Sequence, residues 1–138
     1  MSEPFGAYRV LSVVEPEAVK DLVVIVDDDE SVRVAVHGVL RSVGLKAQAF
    51  SSAEEYLASG TPDRTGCLVT DVQMPGMTGL ELQARLAEDD YRIPIIFITA
   101  YGNARMRAQA MRAGAVEFLG KPFNDDVLLE SIRAALET

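Results

Sequence analysis

The sequence predicts an α/β fold in which five strands alternate with five helices. Four short runs are rich in apolar residues, as expected of buried strands, and a fifth, residues 46–50, alternates polar and apolar residues. The segments between them place apolar residues at helical spacing, and polar residues, glycine or proline follow each run. Because strands that alternate with helices are joined by crossovers, the sheet is expected to be parallel, with helices on both faces.

The five predicted strands are short and lie at regular intervals along the chain. They are residues 22–26, 46–50, 67–71, 93–100 and 116–120. The uninterrupted apolar run at 22–26 is typical of a central strand buried on both faces. Right-handed crossovers bring all carboxyl ends to one edge. Five such units favour the strand order 2-1-3-4-5, a flavodoxin-like (βα)5 three-layer sandwich.

Several predicted helices begin at capping residues, and three of the five are followed by a glycine. They cover residues 31–43, 52–59, 78–88, 104–113 and 124–136, with a loop at 60–63. Ser52, Thr78 and Asn124 are suited to the N-cap, and Gly44 and Gly114 to the helix ends. Residues 21–138 are predicted to form one domain. Residues 1–20 are predicted to be an extension, whose strand-like segment 8–14 is either poorly ordered or an edge strand or partner-binding arm.

Composition limits the class of protein. The 138 residues include 13 Lys+Arg and 21 Asp+Glu, a net charge of −8, which weighs against nucleic-acid or anionic-membrane binding by this segment. The single cysteine, Cys67, allows no disulfide within the chain and is expected to be buried. Neither a run of about 20 apolar residues nor a signal-peptide pattern is present, so we expect a cytoplasmic setting.

Polar residues stand at the ends of four predicted strands. Asp27 and Asp28 follow the first strand, Asp71 ends the third, Thr99 lies at the end of the fourth, and Lys121 follows the fifth. In the order 2-1-3-4-5 these strands are consecutive neighbours. We therefore expect the five side chains to line one cleft, at the edge where ligands bind in open α/β sheets.

The chemistry of this set points to a metal and a phosphoryl group. Three carboxylates repel one another, and a hard cation such as Mg²⁺, with Mn²⁺ as a substitute, relieves the repulsion. Asp28 and Asp71 are the expected direct ligands, with Asp27 acting through water and the main-chain carbonyl of Gln73 as the third protein ligand. The neighbouring lysine and threonine add a cation and a hydroxyl for a phosphoryl group, and Asp71 is suited to be its nucleophilic acceptor.

Four motifs in order resemble the receiver domain of bacterial two-component response regulators (CheY-like), over about residues 22–136. They are Val-Asp-Asp-Asp-Glu-Ser-Val-Arg at 26–33, Val-Thr-Asp-Val-Gln-Met-Pro-Gly-Met-Thr-Gly at 69–79, Ile-Thr-Ala at 98–100 and Lys-Pro-Phe at 121–123. The resemblance implies that a sensor histidine kinase donates a phosphoryl group to Asp71 and that Mg²⁺ is required. It also implies that Asp27 and Asp28 are the acidic pair, whereas Asp29 belongs to the start of the first helix.

The resemblance implies further roles. Thr99 would sense the phosphoryl group and Lys121 would pair with it, while the bond before Pro122 would be cis. Phe118 matches the aromatic residue that moves with the threonine, although core packing is the alternative for Phe118. Gln73 and Tyr101 occupy positions that tune dephosphorylation.

The output surface implied by the resemblance is the face formed by helix 4, strand 5 and helix 5. Arg105, Arg107 and Arg112 make helix 4 basic, and Asp125 and Asp126 lie on the same general side. A homodimer through this face upon phosphorylation is one expectation, and a solvated helix face is the other.

Three other functions fit the sequence less well. A phosphatase with an aspartate nucleophile would need a second acid at position 73, where this chain has Gln73. A nucleotide or flavin binder would need a glycine-rich loop after the first strand, which here carries acids. A receiver-like scaffold that is never phosphorylated would not need the complete set of site residues.

We therefore predict a phosphoacceptor switch rather than a turnover enzyme. The motifs look like those of the FixJ-type branch, whose output is transcription through a DNA-binding domain. Because the last predicted helix ends near residue 136, that domain is expected to lie outside this chain. A stand-alone receiver that acts by protein–protein contact is the alternative.

Overall fold

The computed structural model describes residues 19–137, so the predicted strand-like segment 8–14 lies outside the described residues. Within 19–137 the chain forms one parallel five-stranded sheet in the order β2-β1-β3-β4-β5, which confirms the predicted order. The strands are β1 (Leu22–Val26), β2 (Ala47–Phe50), β3 (Thr65–Asp71), β4 (Ile95–Thr99) and β5 (Glu117–Gly120). The helices are α1 (Glu30–Ser42), α2 (Ala53–Ala58), α3 (Gly79–Glu88), α4 (Ala104–Arg112) and α5 (Asp125–Leu136).

The helices cover both faces of the sheet and produce two apolar cores. On one face α2, α3 and α4 pack against the strands through residues such as Tyr56, Leu82 and Ala110. On the other face α1 and α5 pack through residues such as Leu40 and Ile132. Every residue of β1 is buried, and alternate residues of this strand join opposite cores, as the uninterrupted apolar run predicts.

The strand register aligns the carboxyl ends. Val26 of β1 pairs with Thr70 of β3, and the next residue of β3, Asp71, pairs with Ile98 of β4. Thr99, the last residue of β4, pairs with Gly120 of β5. The residues that follow these strands therefore emerge side by side at one edge of the sheet.

Side-chain caps fix where the helices begin. Asp29 caps α1 by accepting the backbone N–H of Ser31, with 2.9 Å between nitrogen and oxygen. Ser52 caps α2 and Asn124 caps α5, as predicted. Thr78 forms a reciprocal capping box with Glu81 at the start of α3, which satisfies two backbone donors at once.

Most element boundaries differ from the predicted ones by one or two residues, and three of the differences are informative. The predicted loop at 60–63 is a short 3-10 helix, Thr61–Arg64, in which a proline near the first position supplies a suitable φ. The fourth strand begins at Ile95 rather than at 93, because Pro94 has no backbone N–H to donate to the ladder. The C-cap of α4 is Ala113, and Gly114 follows it with a φ of 101°.

No helix in residues 19–137 is both long enough and apolar enough to cross a membrane.

Candidate functional site

The site lies at the carboxyl edge of the sheet, in a cavity of about 350 Å³. The residues that line it come from the ends of β3 and β4 and from the loops after β1, β3, β4 and β5: Asp28, Asp29, Asp71, Gln73, Thr99, Ala100, Tyr101 and Lys121. Asp27 lies beside the cavity and is wholly buried. The structure thus brings together the residues that the sequence placed at four separate strand ends.

Lys121 connects two of the carboxylates. Its Nζ lies 2.9 Å from Oδ2 of Asp27 and 2.9 Å from Oδ2 of Asp71. The Asp27 side chain is 0% exposed, that of Asp71 is 10% exposed and that of Lys121 is 16% exposed. One ammonium therefore serves two carboxylates that are almost entirely removed from water. The peptide bond between Lys121 and Pro122 is cis.

Burial and the ion pair between Asp27 and Lys121 shift the pKa values of these two residues. Burial raises the pKa of Asp27 above its ordinary value, and hydrogen bonds from Lys121 and from the Asp29 N–H offset only part of that rise. For Lys121, burial lowers the pKa, but the hydrogen bonds to Asp27 and Asp71 and the negative charges of these two residues together outweigh burial, so the pKa is raised. Lys121 is therefore a cation at neutral pH.

The carboxylates form a cluster suited to a hard cation. One oxygen from each of Asp27, Asp28 and Asp71 lies within 4.8 Å of the other two. Asp28 is exposed, whereas Asp27 and Asp71 are buried, so the cluster opens to solvent on one side. All of these donors are oxygen atoms, which Mg²⁺ prefers, and one ammonium does not balance three carboxylates. The residues present therefore fit a divalent ion of this kind.

Gln73 is held against the phosphoacceptor candidate by its backbone. Its N–H donates to Oδ1 of Asp71 at 3.1 Å, while its side chain is exposed. Both oxygens of Asp71 therefore have a donor, one from the backbone and one from Lys121. An exposed amide side chain at this position lies where it can contact water or a group that enters the cavity.

Thr99 and Phe118 are close to each other behind the site. Thr99 is buried, and its hydroxyl accepts the N–H of Tyr101 at 3.4 Å. Phe118 is buried against Phe97, with ring centroids 6.1 Å apart. Tyr101, in contrast, is 78% exposed.

Sequence reasoning missed two residues that shape this region. A β-carbon at Gly102 would lie 2.7 Å from Cγ2 of Thr99 and 2.9 Å from Cε1 of Phe118, so only glycine lets the loop approach both. Arg33 of α1 reaches back and donates to the Asp27 carbonyl at 2.8 Å. Neither contact has a signal in the sequence, because each depends on how separate segments meet.

Comparison with known proteins gives consistent results. Residues 23–133 match the family described as the response regulator receiver domain. Nodulation protein W of Bradyrhizobium diazoefficiens is 50% identical over 118 residues, which are 86% of this chain and 52% of that protein. The transcriptional regulatory protein FixJ of Rhizobium meliloti is 44% identical over 113 residues, 82% of this chain and 55% of that protein.

The fold of this chain also matches a solved structure. The crystal structure of FixJ-N superimposes with a TM-score of 0.77 at 44% identity, over 84% of this chain and 93% of that one. The chain spans about half the length of the two curated relatives.

Proposed function

This chain belongs to the response regulator receiver domain family, and we propose that it is a phosphoacceptor switch that takes a phosphoryl group from a sensor histidine kinase onto Asp71. The observation that carries the proposal is the position of Asp71 in the acidic cluster. Asp27 contacts the Lys121 ammonium but is fully buried, whereas Asp28 is exposed to solvent. Asp71 contacts the ammonium and keeps 10% of its side chain exposed at the cavity.

The proposed reaction is a displacement at phosphorus. A carboxylate oxygen of Asp71 attacks, the bond between phosphorus and the imidazole nitrogen of the donor breaks, and its electron pair stays on that nitrogen. The product is an acyl phosphate on Asp71. The Lys121 ammonium already lies 2.9 Å from this carboxylate, so it is in place to neutralise the charge that arrives with the phosphoryl oxygens.

We propose that Mg²⁺, or Mn²⁺ in its place, binds at the cluster. Asp28, Asp71 and the main-chain carbonyl of Gln73 would hold it, with Asp27 acting through a bound water. When bound, the ion would supply positive charge beside the acceptor oxygen and the phosphoryl group. The hydrogen bond between the Gln73 N–H and Asp71 supports this assignment, because it keeps the loop next to the carboxylate.

The proposed readout runs through Thr99 and Phe118. A cavity of about 390 Å³ beside them is also lined by Gly102 and Arg107, and it offers space for the two side chains to rearrange. Phe118 has no hydroxyl, so packing alone would hold it in either position. Gln73 and Tyr101 border the acceptor site and would tune the removal of phosphate by water.

We further propose that the face formed by α4, β5 and α5 changes with phosphorylation and mediates homodimerisation. The output would be transcription, through a domain that is not part of residues 1–138, in a cytoplasmic protein. FixJ, whose receiver region this chain resembles at 44% identity, is a transcriptional regulatory protein. The domain would assist its own phosphorylation and dephosphorylation without turning over a separate substrate, and this domain itself would not contact nucleic acid.

The test is phosphorylation with a small donor. The full chain is incubated with Mg²⁺ and acetyl phosphate, and the modified residue is located by mass spectrometry. We expect one acid-stable, base-labile adduct on wild type, none on Asp71→Asn, and an unchanged adduct on Asp90→Asn. Asp90 is an exposed aspartate with a φ of 64°, a conformation that asparagine also adopts. Equal labelling of wild type and Asp71→Asn would refute the proposal.

A further inference from the structure

Hydrogen bonds between residues that are near in sequence hold both ends of the loop between β3 and α3, residues 72–78. At its start, the Gln73 N–H donates to Oδ1 of Asp71 at 3.1 Å. At its end, the N–H of Gly79 donates to the carbonyl of Val72 at 2.8 Å, which closes the loop on itself. This loop carries the carbonyl that the proposed Mg²⁺ site requires, so whatever determines its shape bears on metal binding.

A third contact reaches the loop from a different helix. Oε2 of Glu54, in the first turn of α2, accepts the N–H of Met77 at 2.9 Å. The two residues are 23 positions apart in the chain. α2 and the loop are therefore connected by a direct hydrogen bond to a carboxylate.

The loop backbone is shaped around that carboxylate. Gly76 has a φ of 75°, which glycine adopts without strain. A β-carbon at Gly76 would overlap the Glu54 carboxylate, so a larger residue there would force this side chain away from its place against the loop. This observation is independent of the hydrogen bond to Met77, and it places the carboxylate in contact with the loop at two successive residues.

Electrostatics favour the contact at neutral pH. The Met77 N–H is the largest cause of a lowered pKa at Glu54, so this carboxylate is ionised and the hydrogen bond is charge-assisted. The neighbouring Glu55 behaves differently. Its carboxylate accepts the N–H of Ser51 at 3.0 Å and supports the start of its own helix.

We propose that Glu54 is a positioning residue for the metal site, which holds the loop 72–78 in the conformation that keeps Gln73 against Asp71. This inference rests on the proposed function. Glu54 does not touch the acidic cluster. It would act by restricting the loop before the ion arrives, because a ligand that is already ordered loses less entropy on binding.

The proposal is tested in the full chain with three variants. Mg²⁺ affinity is measured by isothermal titration calorimetry and by NMR shifts of the Gln73 amide, since the chain has no tryptophan to report binding. We expect Glu54→Ala to weaken Mg²⁺ binding about 3- to 10-fold, less than the roughly 10- to 100-fold typical of outer-shell partners, because the contact is exposed. Glu54→Gln keeps an oxygen acceptor and is expected to restore most of the affinity.

Glu55→Ala is the matched control. It removes the same charge from the same helical turn but leaves the loop contact in place, so its Mg²⁺ affinity is expected to stay at the wild-type value. Together with Glu54→Gln, it separates the loss of the loop contact from the loss of a nearby negative charge. A Glu54→Gln variant as weak as Glu54→Ala would assign the effect to charge and overturn the proposal.

Hydrogen exchange gives a readout that does not depend on the metal. Without Mg²⁺, the Met77 amide is expected to exchange faster in Glu54→Ala than in Glu55→Ala. If Met77 is released but both alanine variants bind Mg²⁺ equally, the contact only supports the fold, and this inference fails while the proposed function stands. If wild type itself does not bind Mg²⁺ at the cluster, the metal site proposed above fails, and this inference fails with it.

Discussion

Replacement of Lys121 by methionine tests the electrostatics of the site most directly. The substitution keeps an unbranched side chain that is one atom shorter, and it removes the ammonium that lies 2.9 Å from both Asp27 and Asp71. The buried carboxylate of Asp27 then has neither water nor a cation to stabilise its charge. It is also repelled by the carboxylate of Asp71. We expect Lys121→Met to lower the free energy of unfolding in metal-free buffer.

The magnitude follows from burial. Removal of one partner of a buried ion pair costs about 3–5 kcal/mol, because the other charge stays buried and unpaired. Here Lys121 and Asp71 retain some contact with solvent at the mouth of the cavity, so we expect about 2–4 kcal/mol. Mg²⁺ should recover part of this loss in the variant, because a bound ion at tenfold its Kd contributes about 1.4 kcal/mol. It should stabilise the variant more than wild type, in which the ammonium already neutralises part of the cluster.

The assay is urea unfolding followed by circular dichroism, with EDTA or with saturating Mg²⁺. Lys46→Met is the control, because Lys46 pairs with Asp21 at 3.0 Å on the surface, where both side chains are well exposed. Such a pair is worth at most about 1 kcal/mol, and its loss should not depend on Mg²⁺. If Lys121→Met costs no more than Lys46→Met, or if Mg²⁺ stabilises wild type and variant equally, the shared-ammonium account is wrong.

Three further predictions concern other parts of the chain. Tyr56→Phe removes a buried hydroxyl 2.7 Å from that of Thr65 and should cost about 1 kcal/mol in urea unfolding; no change would mean that this hydrogen bond contributes nothing. Gly38→Ala places a β-carbon in open space in α1 and should stabilise by about 1 kcal/mol, so a lower melting temperature would contradict it. The pKa of Glu54 is lower than its ordinary value of 4.5. The contact with Met77 therefore stabilises the fold fully at pH values above 4.5, and this stabilisation is lost as the pH falls through the lowered pKa. The Met77 amide shift should therefore titrate with a midpoint below 4.5, and a flat response from pH 7 to 3 would argue against the contact.

The sequence predicted the order of the elements and of the strands because those signals are local. A run such as 22–26 is apolar and β-branched throughout, and Thr78 and Asn124 are capping residues at helix starts. The right-handed crossover rule then leaves few arrangements of a parallel sheet. The convergence of strand ends follows from topology alone, so the members of the site could be named before any distance was known.

The pairings within the site could not be predicted from the sequence. Topology brings Lys121 to the same edge as three aspartates, but only the side-chain geometry shows that it contacts Asp27 and Asp71 together. The contact between Glu54 and Met77 is less predictable still. A glutamate in the first turn of a helix is already explained by the helix dipole. The sequence therefore gives no reason to look for a distant partner such as Met77.

The shared ammonium has a consequence for how the proposed switch would work. Phosphorylation would add negative charge at Asp71, where Lys121 is already engaged with two carboxylates. The ammonium would have to turn toward the phosphoryl oxygens, and its contact with the fully buried Asp27 would weaken at the moment when the cluster became most negative. Asp27 would then require another source of positive charge, and the open side of the cluster next to Asp28 is where a divalent ion would supply it. The requirement for Mg²⁺ that we propose would therefore arise as much from the buried charge of Asp27 as from the chemistry of phosphoryl transfer.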